Sequence, residues 1–236
     1  MKENSVLVLG SKHNSELPDL PVRKIYAANA AVLRAIKYRK KYENNLLICC
    51  TNGREYDRNV IVQQAINESK PDKIVFRSSK SNFKNDINCE TIYMGNKDQI
   101  IFQSNFYKNR KFSFYLGEMK YKKTTIYQTL RYFYDCLKYR KFLGASTGLF
   151  SILLALSEND DSEIIISGIS TAGGPQFYKS NRFVDQDHSP RAAVDNYLFM
   201  TILEEYKKKI LTLDVEMSSK YGLKYFDKKR IKIWTI

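Results

Sequence analysis

Apolar positions along the chain fall into short unbroken runs, separated by longer segments in which apolar residues recur every three or four positions. The runs are Val6-Leu7-Val8-Leu9, Ile25-Tyr26-Ala27-Ala28, Leu46-Leu47-Ile48-Cys49-Cys50, Lys73-Ile74-Val75-Phe76, Thr91-Ile92-Tyr93-Met94, Ile164-Ile165-Ile166 and Ile210-Leu211-Thr212-Leu213-Asp214. Runs of this length without polar alternation predict strands buried on both faces, as in a parallel sheet. Helices are expected over 30–42, 54–69, from the turn at Ser146-Thr147-Gly148 to Leu156, and over 192–208. Strands alternating with helices predict an α/β class: a Rossmann-like parallel sheet flanked by helices. With 236 residues, 43% of them hydrophobic, the chain can bury one sizeable core, and two domains would be cramped. The expected organisation is a single domain over 1–236.

The strand ends carry the first chemical signal. Three strands finish in small or amide residues, at Gly10-Ser11, Asn29 and Asn52. Amides and hydroxyls offer donors and acceptors together, as a nucleobase, ribose or phosphate requires. In open α/β sheets, ligands bind at the carboxyl ends of strands. Turn chemistry accounts for any one of these residues, and the run of three points to a nucleotide. The loop after Gly10 lacks the second and third glycines of a dinucleotide fingerprint, which disfavours a dehydrogenase-type site.

Charge narrows the partners without choosing among them. Lys and Arg number 39 against 25 Asp and Glu, a net charge of +14, which suits nucleic acid, an anionic membrane surface or a phosphorylated or acidic sugar substrate. The basic positions Arg34, Lys37, Arg39, Lys40 and Lys41 on the helix 30–42 read as a solvated face. Between 100 and 140 aromatic residues interleave with Lys and Arg, which keeps a single-strand nucleic-acid binder as a competitor. No nucleic-acid signature accompanies them, and aromatics at helical spacing from Tyr127 to Tyr139 suit core contacts better.

The cysteines Cys49, Cys50, Cys89 and Cys136 include an adjacent pair and no CxxC, and only His13 and His188 are available to complete a metal site. Reduced core thiols are therefore expected, and no metal. No run approaches the ~18 apolar residues of a membrane span. Nor is there the long apolar region of a signal peptide at the start, so a cytoplasmic location is expected.

The stretch from 143 to 195 organises the rest. A small-residue turn, Ser146-Thr147-Gly148, opens an apolar helix; the strand Ile164-Ile165-Ile166 runs into Ser167-Gly168-Ile169; a Gly/Pro-containing loop then carries Tyr178 and, at Asp187-His188-Ser189, a histidine. In this order the motifs resemble the bacterial sialyltransferases of glycosyltransferase family 42. That family has a Thr-Ser-Gly-type turn, a strand ending in Ser-Gly-Ile, a lid bearing tyrosine and a His-Ser pair. Gly10, Asn29 and Cys50-Thr51-Asn52 match its early strand ends, and Ser218-Ser219 stand where the family has polar residues contacting the nucleotide after the last core strand.

The resemblance implies a single nucleotide-binding domain with a lid, here about 171–190, and a metal-independent glycosyltransferase with no cofactor beyond its CMP-sugar donor. It implies His188 as the base that deprotonates the acceptor hydroxyl, with Tyr178 hydrogen-bonding the departing phosphate. Gly10, Ser11, Asn29, Asn52, Ser146, Thr147, Gly148, Ser167, Gly168, Ser218 and Ser219 would bind the nucleotide. Lys179, Arg182 or Arg191 would grip the phosphate or the sugar carboxylate. Asp195, a helical turn beyond Arg191, is placed to orient a neighbour or pair with that arginine. The donor sugar would be sialic acid, or Kdo as in the related transferases. The acceptor would be a glycan or glycolipid of lipopolysaccharide or capsule, and the net positive charge would suit peripheral contact with the inner face of an anionic membrane. A homo-oligomer is compatible with this reading, nucleic acid is disfavoured, and Asp185 and Asp187 leave inverting and retaining routes open.

Departures from the family pattern are local. Its arginine shortly before the turn has no counterpart at Gly144-Ala145, where Arg140 is the nearest. The first lid tyrosine position reads Ala172, with Tyr178 at the second. The stretch from Ser167 to His188 is short for the family.

Overall fold

The computed structural model describes residues 4–13, 15–84, 87–106, 130, 144–171, 177, 190–227 and 230–232. In chain order the described strands are β1 (Val6–Leu9), β2 (Glu16–Pro18), β3 (Lys24–Ala28), β4 (Leu46–Thr51), β5 (Lys73–Phe76), β6 (Glu90–Tyr93), β7 (Ile164–Ser167), β8 (Ile210–Thr212), β9 (Lys224–Tyr225) and β10 (Arg230–Lys232). The helices are α1 (Val32–Lys41), α2 (Gly53–Arg58), α3 (Val60–Ser69), α4 (Asn96–Ser104), α5 (Thr147–Glu158), α6 (Pro190–Tyr206) and α7 (Val215–Tyr221).

Among the described residues, eight strands form one sheet in the order β6-β5-β4-β3-β1-β7-β8-β9, and every neighbouring pair is parallel. This is the Rossmann-like α/β architecture that the apolar runs predict. Parallel pairing brings all strand ends to one edge. The register sets Leu9 beside Ala27 and Ser167, and Thr51 beside Phe76, so the residues that follow emerge side by side.

The period of two along each strand divides the core into two layers. Leu7, Ile25, Leu47 and Ile74 meet α1 and α3 on one face, and Val8, Tyr26, Ile48 and Ile166 meet α5 and α6 on the other. Helix α5 is apolar all round and buried at every position from Leu149 to Leu156, so it lies between the sheet and other elements rather than at the surface. Each fully buried Leu, Ile or Phe there contributes ~1.5–3 kcal/mol relative to exposure.

Three segments depart from the sequence pattern, each for a local reason. The helix expected over 54–69 is two helices, because the side chain of Asn59 accepts from the N–H of Ile61 (3.1 Å) and starts a second one. The strand expected to run to Asp214 stops at Thr212. Asp214 instead caps α7, accepting from Glu216 (3.0 Å) and Met217 (3.3 Å), so Ser218-Ser219 lie on a helix rather than a turn. The loop 12–19 contains β2, which pairs antiparallel with β10 from the chain's last residues. Among the described residues no helix is long and apolar enough to cross a membrane.

Candidate functional site

Strands β1 and β7 adjoin where the direction of strand addition reverses, the switch point at which open α/β sheets bind ligands. Their ends are pressed together. Gly10 N–H donates to Ser167 O (2.8 Å) and Lys12 N–H to Gly168 O (2.9 Å). A Cβ on Gly10 would lie 2.1 Å from Gly168 O, and Gly168 itself takes a φ of +67°. Close approach of two backbones thus accounts for both glycines. The hydroxyls at this seam have protein partners: Ser11 Oγ donates to Ala28 O (3.4 Å), and Ser167 Oγ donates to Glu16 O.

On the other side of β1 the strand ends form a lateral chain. Asn29 sits in the left-handed region at φ 51° and accepts from Thr51 Oγ1 (2.9 Å). Asn52 caps α2, accepting from Arg54 N–H (2.9 Å), and its amide donates to Arg77 O (3.4 Å). Three amides and hydroxyls from β3 and β4 therefore line one rim, with Arg77 at the end of β5 beyond them.

The turn that opens α5 is held from three elements. Ser146 Oγ accepts from Leu149 N–H (3.3 Å) as the helix cap. Gln103 of α4 accepts from Ala145 N–H (3.0 Å), and Asp195 of α6 accepts from Ser146 N–H (2.8 Å). The guanidinium of Arg77 donates to Ala145 O (2.5 Å) and Thr147 Oγ1 (3.4 Å) and lies over the Phe150 ring at 4.8 Å. Arg77 is buried at 6% exposure, as Asp195 is at 4%. A guanidinium thus stands beside the positive end of α5, held there by its acceptors, and the Asp195 carboxylate offsets the like charge. Sequence reasoning passed over Arg77. The signal was its position immediately after the run Lys73–Phe76, at the same edge as Asn29 and Asn52. Asp195, expected to orient a neighbour or pair with Arg191, accepts from the Ser146 main chain, and the Arg191 side chain lies outside the described residues.

Beyond β7, Lys12 bridges to Asp214 and Glu216, both at 2.8 Å. Burial works against its charge, but the hydrogen bonds to Asp214 and Glu216 outweigh it and hold the ammonium above its ordinary range. A shallow cleft, with room for about one water molecule, opens beside it, lined by Lys12, Ser170, Thr171, Glu216, Met217 and Lys220. Ser218 and Ser219 belong to the same helix as the last three but do not line the cleft, and Ser218 Oγ donates to Leu223 O (2.8 Å).

Of the other predicted site residues, Tyr178, Arg182 and His188 lie outside the described residues, as do Lys179, Asp185 and Asp187. Arg191 is in the first turn of α6, and its side chain lies outside them too. The basic face expected to be solvated is not uniformly so. Arg34 is buried at 5% exposure, Lys41 pairs with Asp19 and Arg39 with Asp72. The reason is that the loop after β1 supplies acceptors to Arg34 and Lys41, and Asp72, just before β5, supplies one to Arg39. Cys49 and Cys50 are buried free thiols; burial raises Cys49 well above the usual thiol range and pushes Cys50 up to about 12. Cys136 lies outside the described residues, among which no group of three or more His, Cys, Asp and Glu could hold a metal ion. Phe102 and Phe106 of the aromatic-basic region pack inward, against Phe150 and Tyr206 respectively.

The fold is similar to that of two solved structures. One is the sialyltransferase CstII from Campylobacter jejuni in complex with the substrate analogue CMP-3FNeuAc, at 9% identity and a TM-score of 0.39, covering 99% of this chain and 92% of that one. The other is the sialyltransferase CST-II in complex with a trisaccharide acceptor and CMP, at 9% identity and a TM-score of 0.41, covering 98% of this chain and 82% of that one. No family model matches the sequence, and no curated protein matches it.

Proposed function

We propose that this chain is a glycosyltransferase that moves an acidic keto-sugar, sialic acid, from a CMP-sugar donor to a cell-surface glycan or glycolipid acceptor. CMP-Kdo is the neighbouring donor class. The observation that carries the reading is the alignment of Gly10-Ser11, Asn29, Asn52 and the Ser146-Thr147-Gly148 turn along one carboxyl edge, in the motif order of the family 42 resemblance. A rim of amides and hydroxyls suits cytidine and ribose, which need donors and acceptors together. Arg77 and the amino end of α5 supply positive charge for the phosphate, as helix termini and guanidinium forks do for phosphates generally.

The chemistry follows from the donor. CMP is a good leaving group and the sugar acquires oxocarbenium character, so the protein must accept the acceptor's proton and steady the departing phosphate. His188 is assigned the first task, and Tyr178 shares the second with the hydroxyls of Ser146 and Thr147. Arg182 and Arg191 are assigned to the sugar carboxylate or the phosphate. No metal is called on, and the net charge of +14 suits peripheral contact with an anionic inner membrane face.

Thermal denaturation with nucleotides tests the reading. CMP at a hundredfold excess over Kd contributes ~2.7 kcal/mol, which for a chain of this size raises the melting temperature by about 5–10 °C. UMP and AMP should give little. A chain that is stabilised only by single-stranded polymer, with the effect lost in salt, is a nucleic-acid binder instead.

A further inference from the structure

Beside the rim of amides and hydroxyls, the carboxyl edge carries a second surface that the proposed chemistry does not use. It is built from α2, the first turn of α3 and the loop 78–84. Tyr56 of α2 packs edge-on against Phe76 (5.6 Å) and Phe83 (5.5 Å), which joins helix and loop into one unit. With about 3.6 residues per turn, Arg54 and Arg58, two positions to either side of Tyr56, fall on the opposite face of the helix, and both are exposed. Phe83 packs inward on Phe76, while Lys80 and Lys84 of the same loop are exposed.

Hydrogen bonds hold the loop to the helix and occupy the acids between them. Asp57 Oδ1 accepts from Ser81 Oγ (2.9 Å) and Asn82 N–H (2.8 Å), and Glu55 accepts from Asn59 Nδ2 (3.0 Å). A Cβ on Gly53 would lie 2.7 Å from Lys80 O, so the loop sits directly on the start of α2. Among the described residues none of the four cations is in an ion pair. Beside them Val60 and Ile61, which the Asn59 cap sets at the start of α3, are 61% and 44% exposed.

Cations around an aliphatic pair suit an anionic lipid surface, where the charges meet headgroup phosphates and the aliphatic groups enter the acyl boundary. Single-stranded nucleic acid calls for exposed rings, and Tyr56 and Phe83 spend theirs on Phe76. We propose that this unit docks the chain on an anionic bilayer through Arg54, Arg58, Lys80, Lys84, Val60 and Ile61. Asn52, which caps α2, then holds the rim of the candidate site beside the headgroups, where a glycolipid acceptor would lie. That last step rests on the proposed transferase reading; the docking surface does not.

Co-sedimentation of the full chain with vesicles tests the surface, using phosphatidylcholine alone and phosphatidylcholine with about one-third phosphatidylglycerol. The parent should bind only the anionic vesicles and be released by salt. Arg54→Gln/Arg58→Gln and Lys80→Gln/Lys84→Gln should each weaken binding about twentyfold or more, from a factor of about five per cation. Val60→Ser/Ile61→Ser should weaken it about fivefold or more. Lys207→Gln/Lys208→Gln removes equal charge from exposed positions just before β8, at the opposite edge of the sheet, and should change binding less than about threefold. A parent that does not bind the anionic vesicles overturns the proposal, as does an equal loss in Lys207→Gln/Lys208→Gln, which would make net charge alone responsible. Loss of single-stranded oligonucleotide binding in Arg54→Gln/Arg58→Gln, with vesicle binding kept, overturns it in favour of a nucleic-acid surface. The thermal shift with CMP should stay parental in every variant. If the parent shows no such shift, the proposed function falls, and vesicle binding still decides the surface by itself.

Discussion

The main-chain N–H of Ser146 donates to Asp195 Oδ1 at 2.8 Å, tying the turn that opens α5 to the first half of α6. The two are 49 positions apart in the chain. The contact places a buried carboxylate at the positive end of a twelve-residue helix, where its charge is favoured. Together with Arg77 and Gln103, it leaves the Ser146-Thr147-Gly148 turn little freedom to move.

Asp195→Ala should strip that N–H of its acceptor inside the protein. A buried donor left without a partner costs ~1–3 kcal/mol, read as a lower urea midpoint. Asp195→Asn keeps an acceptor and gives up only the charge, so it should cost less. Equal losses in the two variants would show that the charge, not the hydrogen bond, is what matters.

Arg77→Met keeps a stem beneath the Phe150 ring and removes the bonds to Ala145 O and Thr147 Oγ1. Stability should drop by about 1–3 kcal/mol, the scale of a hydrogen bond to a charged group. CMP affinity, measured by calorimetry, should weaken about tenfold or more, with Arg77→Lys in between because it keeps charge without the fork. Parental CMP affinity in Arg77→Met would remove Arg77 from the phosphate site.

His188→Ala should reduce CMP-sugar turnover by ~10²–10⁴-fold, the usual contribution of a positioned base. The thermal shift with CMP should survive, since the imidazole is assigned to the acceptor side. Turnover equal to the parent's would transfer the base role to another group.

Alkaline stability follows from the buried thiol of Cys50. Its folded pKa is pushed up to about 12 from an ordinary 9.0, chiefly by burial. The folded state therefore holds a proton that the unfolded state releases, so stability is full below pH 9 and falls as pH rises from 9 towards 12. Tyr26 and Tyr38, raised by burial, add to the fall at higher pH. Arg34 works the other way, because its lowered pKa relieves a cost once the pH passes about 10. Cys50→Ala should flatten the decline between pH 9 and 12 in denaturant titrations, and an unchanged slope would show that the thiol ionises freely in the fold.

Asn59→Ala removes the cap that starts α3 and should cost about 1 kcal/mol, the typical worth of such a residue. Circular dichroism melts would register it, and Asn59→Asp should restore most of the loss.

How much was legible in the sequence varies with the range of the interaction. The unbroken runs Val6–Leu9 and Leu46–Cys50 announced strands covered on both faces, and the parallel sheet follows from that pattern and the helices between. The break at Asn59 was hidden, because apolar spacing continues through it and only the side chain's local hydrogen bonds stop the first helix. Asp214 was hidden likewise: an aspartate after Leu213 serves equally as a strand end or a cap until its acceptors are placed.

By itself the sequence determined the order of strands and helices, the parallel sheet and the edge on which Gly10, Asn29 and Asn52 emerge, because hydrophobic periodicity and turn residues act over a few positions. Only the tertiary structure decided that Arg77, just after β5, reaches the turn at Ala145, that Arg34 is buried under Phe177 rather than solvated, and that Gly10 and Gly168 are small for each other's sake. Those are contacts between residues 68, 143 and 158 positions apart. A charge pattern along one helix cannot reveal which oxygens another segment will bring to it.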